Sequence, residues 1–337
     1  MDPQLLQKID LLMRSFEFAC GVPSTLINLY SIAKVSQLSL VNPNLKYVLN
    51  AISFTSALIA CIHPILGQID PNSYSIDRSN YVGAFVYYSL HFSVQLFTLI
   101  TDLKFFLIGW ERRLSLKYKN NLENRNGKRV VFSAIVFLLL ICFIKCAVLL
   151  NTSELKAMND RLYEICAIQG HDIFLVVIAF PLGAISWGYG QYQFNYLIKH
   201  FKKQRHSGTL SERFELRQTN TIVKVLYPLA YLYSVGYLVC LAAVPVIFFL
   251  RTKGYGMNTI EYQVATNIIF NSMACYNLIY VVFILFTFAP LRRALINDLC
   301  LLIGTTNYSA SNSSSTVEPA LTLERHFDML QAAWNKS

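Results

Sequence analysis

Apolar residues run along this chain in seven long blocks, separated by stretches where charged and small polar residues collect. The blocks cover roughly residues 15–36, 45–67, 79–109, 130–150, 172–197, 222–250 and 262–289. Each is about 20 residues or longer, the length a helix needs to cross hydrocarbon, where nothing else pairs the backbone N–H and C=O groups. The fourth, VVFSAIVFLLLICFIKCAVLL, and the sixth, IVKVLYPLAYLYSVGYLVCLAAVPVIFFL, are the strongest by hydropathy. The first is the weakest: it carries Glu17 and several Ser, Thr and Asn, and it lacks the basic start and compact apolar core of a signal peptide. The pattern predicts an all-α membrane protein whose bundle of seven transmembrane helices occupies residues 1–304. A Ser-, Thr- and Asn-rich segment beginning TTNYSASNSSST follows, and it predicts a disordered tail over residues 305–337.

Composition agrees with the blocks. Of the 337 residues, 54% are hydrophobic and 14% charged, against about 25% charged in a soluble domain. Lys and Arg resist translocation, so their distribution orients the chain. With the N-terminus outside, 20 of the 29 Lys and Arg fall in cytoplasmic segments and 7 in outer ones. The sequence therefore predicts an outside N-terminus and a cytoplasmic C-terminus. The net charge of +10 follows from this topology and from attraction to anionic membrane lipid, and calls for no nucleic acid.

Polar residues inside apolar blocks are costly unless they line a cavity or pair with one another. In the third block Tyr88, His91, Gln95 and Asp102 recur at helical spacing and form one stripe. Its outer members Tyr88, His91 and Gln95 are candidate ligand contacts; the inner Asp102 is expected to pair with Lys104 or Arg112. The alternative is an interhelical hydrogen-bond seam without ligand. Asn267, Asn271 and Asn277 form a similar row in the seventh block, and Asn267 and Asn271 join the candidate ligand site. Pro181, Pro228 and Pro245 interrupt the fifth and sixth blocks, each removing a helix hydrogen bond and permitting a kink.

The cytoplasmic ends carry a second kind of chemistry. The third block closes with Trp110-Glu111-Arg112-Arg113. A carboxylate beside a guanidinium makes a charge-assisted pair that can exchange partners when helices move. Before the sixth block, Thr209-x-x-Glu212 reads as a capping box, so a helix of about 40 residues is expected from there to Leu250. Asp102, Glu111, Arg112, Glu212 and Arg213 are the candidate switch and coupling residues, with Arg112 held by Glu111, Asp102 or Glu212. A pair at the wet membrane edge is expected to be worth about 0 to 1 kcal/mol.

Cys166 falls in a predicted outer loop, facing an oxidising compartment, with Cys146 or Cys61 as candidate disulfide partners. After Arg293, ALINDLCLLIG alternates as a short amphipathic juxtamembrane helix with Cys300 placed for palmitoylation. No phosphate-binding loop, His-Glu-x-x-His, Gly-x-Ser-x-Gly or Cys-x-x-Cys occurs, and His63, His91 and His171 are dispersed. No enzyme activity, cofactor or metal is expected.

Two motifs resemble those of the nematode seven-helix chemoreceptors of the Sra superfamily, with the Sre and Srab groups closest. The first is Glu-Arg, a small residue three beyond, then an aromatic and a Glu: Glu111, Arg112, Ser115, Leu122 and Glu123 stand there, with Leu122 departing from the aromatic. The second is a Leu-Ser-x-Arg-Tyr-Gln-x-x-Glu-Asn stretch before the sixth span, matched by Leu210, Ser211, Arg213 and Phe214, while Glu215, Gln218 and Thr219 depart. The resemblance implies a G-protein-coupled receptor in the plasma membrane of sensory neurons. Its implied partners are a small environmental chemical and a heterotrimeric G protein; separately, the hydroxyl-rich tail offers phosphorylation sites for a desensitising protein, the alternative being a plain solvated tail. A ligand-gated channel of the insect gustatory type and a transporter are the competing classes.

Overall fold

The computed structural model describes residues 3–38, 41–68, 81–117, 126–152, 173–204, 210–255 and 259–303. Every regular element among them is helical: α1 (Pro3–Gln37), α2 (Pro43–Gln68), α3 (Tyr81–Asp102), α4 (Lys104–Lys117), α5 (Asn126–Thr152), α6 (Ile173–Gln204), α7 (Leu210–Thr252), α8 (Ile260–Thr287) and α9 (Ala289–Leu302). Each expected apolar block lies largely within a helix, or within the α3–α4 pair. The chain divides into two compact units, Met1–Leu291 and Arg292–Ser337. Of the second, only residues 292–303 are described, nearly all of them in α9; the expected tail lies outside the described residues.

Among the described residues, three helices contain segments long and apolar enough to cross a membrane: Pro43–Leu66, Thr219–Leu250 and Ile260–Thr287. The bent pair Phe92–Asp102 and Lys104–Ser115 makes a fourth if taken as one span. Large apolar side chains stand exposed on the outer faces, among them Leu12 and Leu26 on α1, Phe132 and Phe143 on α5, Ile185 on α6 and Leu238 on α7. A surface this apolar is costly in water and favourable in lipid.

Within the first unit, α1 packs on α2 and α8, α8 on α7, α7 on α6, and α6 on α3 and α4, which return to α2 and close a ring. Helix α5 lies against α2, α3 and α4.

The third block was expected to be one helix. Instead it bends by 47° at Leu103, and the cause is a side chain inserted into the helix ladder. The amides of Leu103 and Leu107 still donate to Leu99 and Leu103, at 3.1 and 2.9 Å. The Phe106 amide between them donates to Ser186 Oγ on α6, at 3.2 Å. Small residues let α6 come that close. A Cβ on Gly190 would lie 2.6 Å from Phe105 Cβ, and one on Gly183 would lie 2.7 Å from the Tyr233 hydroxyl.

Helix α1 also departs from expectation, beginning at Pro3, about two turns before Asp10, rather than near residue 15. Its first half therefore brings Asp10 and Arg14 into the helix with Glu17, at spacings of four and three that put all three on one face.

Candidate functional site

The largest buried side chains include two cations, Arg112 and Lys104. A buried charge needs a partner, and each finds one on or beside the bent helix.

Lys104 opens α4 at the bend. Its ammonium stands 4.1 Å from the ring centre of Tyr276, 4.9 Å from Tyr233, 5.2 Å from Tyr280 and 5.5 Å from Phe105. Ring faces at these distances attract a desolvated cation. Asp102 supplies the opposite charge and interacts electrostatically with Lys104. Its Oδ1 accepts the Tyr233 hydroxyl at 3.0 Å. Tyr233 belongs to α7 and Tyr276 and Tyr280 to α8, so one ammonium joins the bend to both helices. Of the expected partners for Asp102, Lys104 is the one brought near it.

Two turns further on, Glu111 and Arg112 form a two-pronged ion pair, Nε to Oε2 at 2.6 Å and Nη2 to Oε1 at 2.7 Å. Ser115 Oγ donates to the same Glu111 Oε1 at 2.8 Å. The pair was expected at the wet membrane edge, yet Glu111 is 1% exposed and Arg112 0%. Burial changes its energetics: breaking a buried pair by removing one partner costs about 3 to 5 kcal/mol, because the other charge is left behind. Arg113, by contrast, is exposed and lies over the Tyr196 ring at 5.9 Å. The side chains of Glu212 and Arg213 lie outside the described residues, although the helix expected to carry them is α7, 43 residues long.

The two rows expected to hold a ligand lie against different helices. Gln95 is half-buried on α3, which packs on α2, α5 and α6; the side chains of Tyr88 and His91 lie outside the described residues. Asn267 on α8 faces α1 instead, its Nδ2 donating to Asp10 Oδ1 at 2.7 Å. Asn271 donates to the Asn267 carbonyl at 2.8 Å, and its Oδ1 has no partner among the described residues.

Around Asn267 the structure assembles a polar cluster that the sequence did not single out. Asp10 and Arg14 pair at 2.7 Å, Arg14 Nη2 reaches Gln263 Oε1 at 3.1 Å, and Glu17 bonds His63 Nδ1 of α2. His63 stacks on Phe270 with centroids 3.6 Å apart. Glu17, which made the first block look weak, thus has a buried partner.

Cys61 is exposed and unbonded; Cys166 and the Cys146 side chain lie outside the described residues. Cys300 is half-buried on α9. No metal-binding group of three or more His, Cys, Asp or Glu occurs among the described residues. The chain matches no protein-family model and no curated protein.

Proposed function

We propose that the chain is a seven-span chemosensory receptor that binds a small environmental chemical and activates a heterotrimeric G protein. In this reading its N-terminus is outside, its C-terminus is cytoplasmic, and it resides in the plasma membrane of sensory neurons. The observation that carries it is the Glu111–Arg112–Ser115 network with its buried ion pair, because these are the first three of the five positions of the Glu-Arg motif that the Sra-type resemblance singles out. A closed ring of helices with the bent pair touching α2, α5, α6 and α7 supports the same reading.

At rest, Glu111 neutralises Arg112. A ligand bound between the helices shifts α7, and Tyr233 transmits that shift to Asp102 and Lys104 at the bend. The α4 end then moves, Arg112 exchanges Glu111 for an acceptor on the G protein, and coupling follows. A shift of this kind needs only a ligand that binds one arrangement better than the other. The ligand contacts in this reading are Tyr88, His91 and Gln95 on α3; Asn267, bonded to Asp10 of α1, and Asn271 form a separate row on α8.

The test is to express the full chain with epitope tags at both termini and to screen a chemical panel with a calcium readout. Antibody access to the N-terminal tag alone in intact cells, with a response that requires a G protein, is expected. An external C-terminus or an internal N-terminus overturns the reading.

A further inference from the structure

The seam between α1 and α8 brings together two cysteines that the receptor reading does not use. Asp10 of α1 accepts from Asn267 of α8. Further along, Glu17 and Phe270 both meet His63 of α2, so α1 and α8 run in the same direction. Cys20 lies ten residues beyond Asp10 and Cys275 eight beyond Asn267, about 15 and 12 Å along their helices. Both therefore stand near one level of the seam. They also share its faces: Asp10, Glu17 and Cys20 follow at spacings of seven and three on α1, and Asn267, Asn271 and Cys275 at spacings of four on α8. Register alone sets the two residues opposite each other, and a hydrogen bond joins their thiols. Neither is in a disulfide; Cys20 is buried and Cys275 half-buried.

Two thiols in contact have a reaction open to them that a single one lacks, because a thiol oxidised to a sulfenic acid condenses with a neighbouring thiol. Cys275 is the more accessible of the pair and is oxidised first. Its sulfur attacks one oxygen of a peroxide, the O–O bond breaks, and the departing hydroxide leaves as water with the thiol proton. The Cys20 sulfur then attacks the sulfenic sulfur, the S–O bond breaks, and a second water carries off the Cys20 proton. Two thiols are oxidised and one peroxide is reduced. Hydrogen peroxide is uncharged and close to water in size, so the reaction needs no preformed cavity. Bringing the sulfurs from contact to a bond length of about 2 Å is a matter of side-chain rotation and small helix adjustment.

We propose that Cys20 and Cys275 are a redox-sensitive pair, which a peroxide converts into a disulfide joining α1 to α8. Cys275 immediately precedes Tyr276, whose ring centre lies 4.1 Å from the Lys104 ammonium. The bond therefore ties α1 to the turn of α8 that holds the bent helix.

The experiment treats the purified full chain in lipid nanodiscs with hydrogen peroxide. Remaining thiols are blocked with N-ethylmaleimide in denaturant, and the chain is digested without reductant for mass spectrometry. A peptide pair joining Cys20 to Cys275, separated by dithiothreitol, is expected. Cys61 is exposed, and Cys61→Ala should leave that pair unchanged. The melting temperature should rise by about 5 °C on oxidation and return on reduction. Cys20→Ala and Cys275→Ala should each abolish both the cross-link and the shift, and either variant suffices if the other does not fold. Recovery of Cys20 and Cys275 as free thiols after peroxide has oxidised Cys61 overturns the assignment. So does their recovery as separate sulfinic acids, or in disulfides with other cysteines. The readout is a covalent bond within the chain, so it and G-protein coupling can fail independently.

Discussion

The backbone amide of Phe106 on α4 donates to the hydroxyl of Ser186 on α6, 3.2 Å across the seam, at the point where the third apolar block bends. The bond takes an amide out of the helix ladder and exchanges local pairing for contact with a neighbour. It holds only because α6 presents small residues along that face.

The seam predicts opposite outcomes for two neighbouring glycines. At Gly190 an added methyl meets Phe105 Cβ at 2.6 Å and its backbone at 3.2 Å, so Gly190→Ala should cost about 1 to 3 kcal/mol by forcing the helices apart. At Gly188 nothing lies within 4 Å, so Gly188→Ala should be neutral or gain up to about 1 kcal/mol from helix propensity. Thermal unfolding of the purified variants checks both, and equal melting temperatures would count against the close-packed seam.

Lys104 and Asp102 should behave as a unit. Lys104→Met leaves the half-buried Asp102 beside its Tyr233 bond with no cation, and Asp102→Asn leaves Lys104 with only ring faces. Each single change is expected to destabilise by about 3 to 5 kcal/mol, and the double variant by much less than the sum. A double-mutant cycle on unfolding measures the coupling; additive losses would mean that the two charges act independently.

Docking of α1 depends on Asp10, which accepts from both Arg14 and Asn267. Asp10→Ala should cost about 1.5 to 3 kcal/mol, the range for hydrogen bonds to a charged group. Lys8→Ala, two residues earlier and exposed, should cost little. Protease access to the start of α1, followed over time, distinguishes the two; matching cleavage rates would show that the polar cluster does not hold the helix.

The positions of the helices were legible because hydrophobic blocks report where the chain can be apolar. The start of α7 at Leu210 was readable from Thr209-x-x-Glu212, a local signal. The bend at Leu103 was not, since its cause lies eighty residues away in Ser186. The traces of it, small residues Gly183, Ser186 and Gly190 at helical spacing, carry meaning only once α4 is known to pack there. Glu111–Arg112 was readable as a pair from adjacency, while its burial was not: apolar neighbours supplied by other helices decide that. The polar face of α1 had a signal in Asp10, Arg14 and Glu17, obscured by treating Asp10 and Arg14 as part of an outer segment. Asn267 and Asn271 were readable as inward-facing, and the partner of Asn267, 257 residues away, was not.

The role of Arg112 is tested most directly by nucleotide exchange on a purified heterotrimeric G protein, stimulated by purified wild-type, Glu111→Gln, Arg112→Ala and Arg113→Ala receptor in nanodiscs at matched folded amounts. Releasing Arg112 through Glu111→Gln should raise basal exchange severalfold, Arg112→Ala should reduce it to the receptor-free rate, and Arg113→Ala should stay near wild type. Equal loss in Arg112→Ala and Arg113→Ala, with no rise in Glu111→Gln, would contradict a specific buried switch and leave bulk positive charge as the coupling determinant.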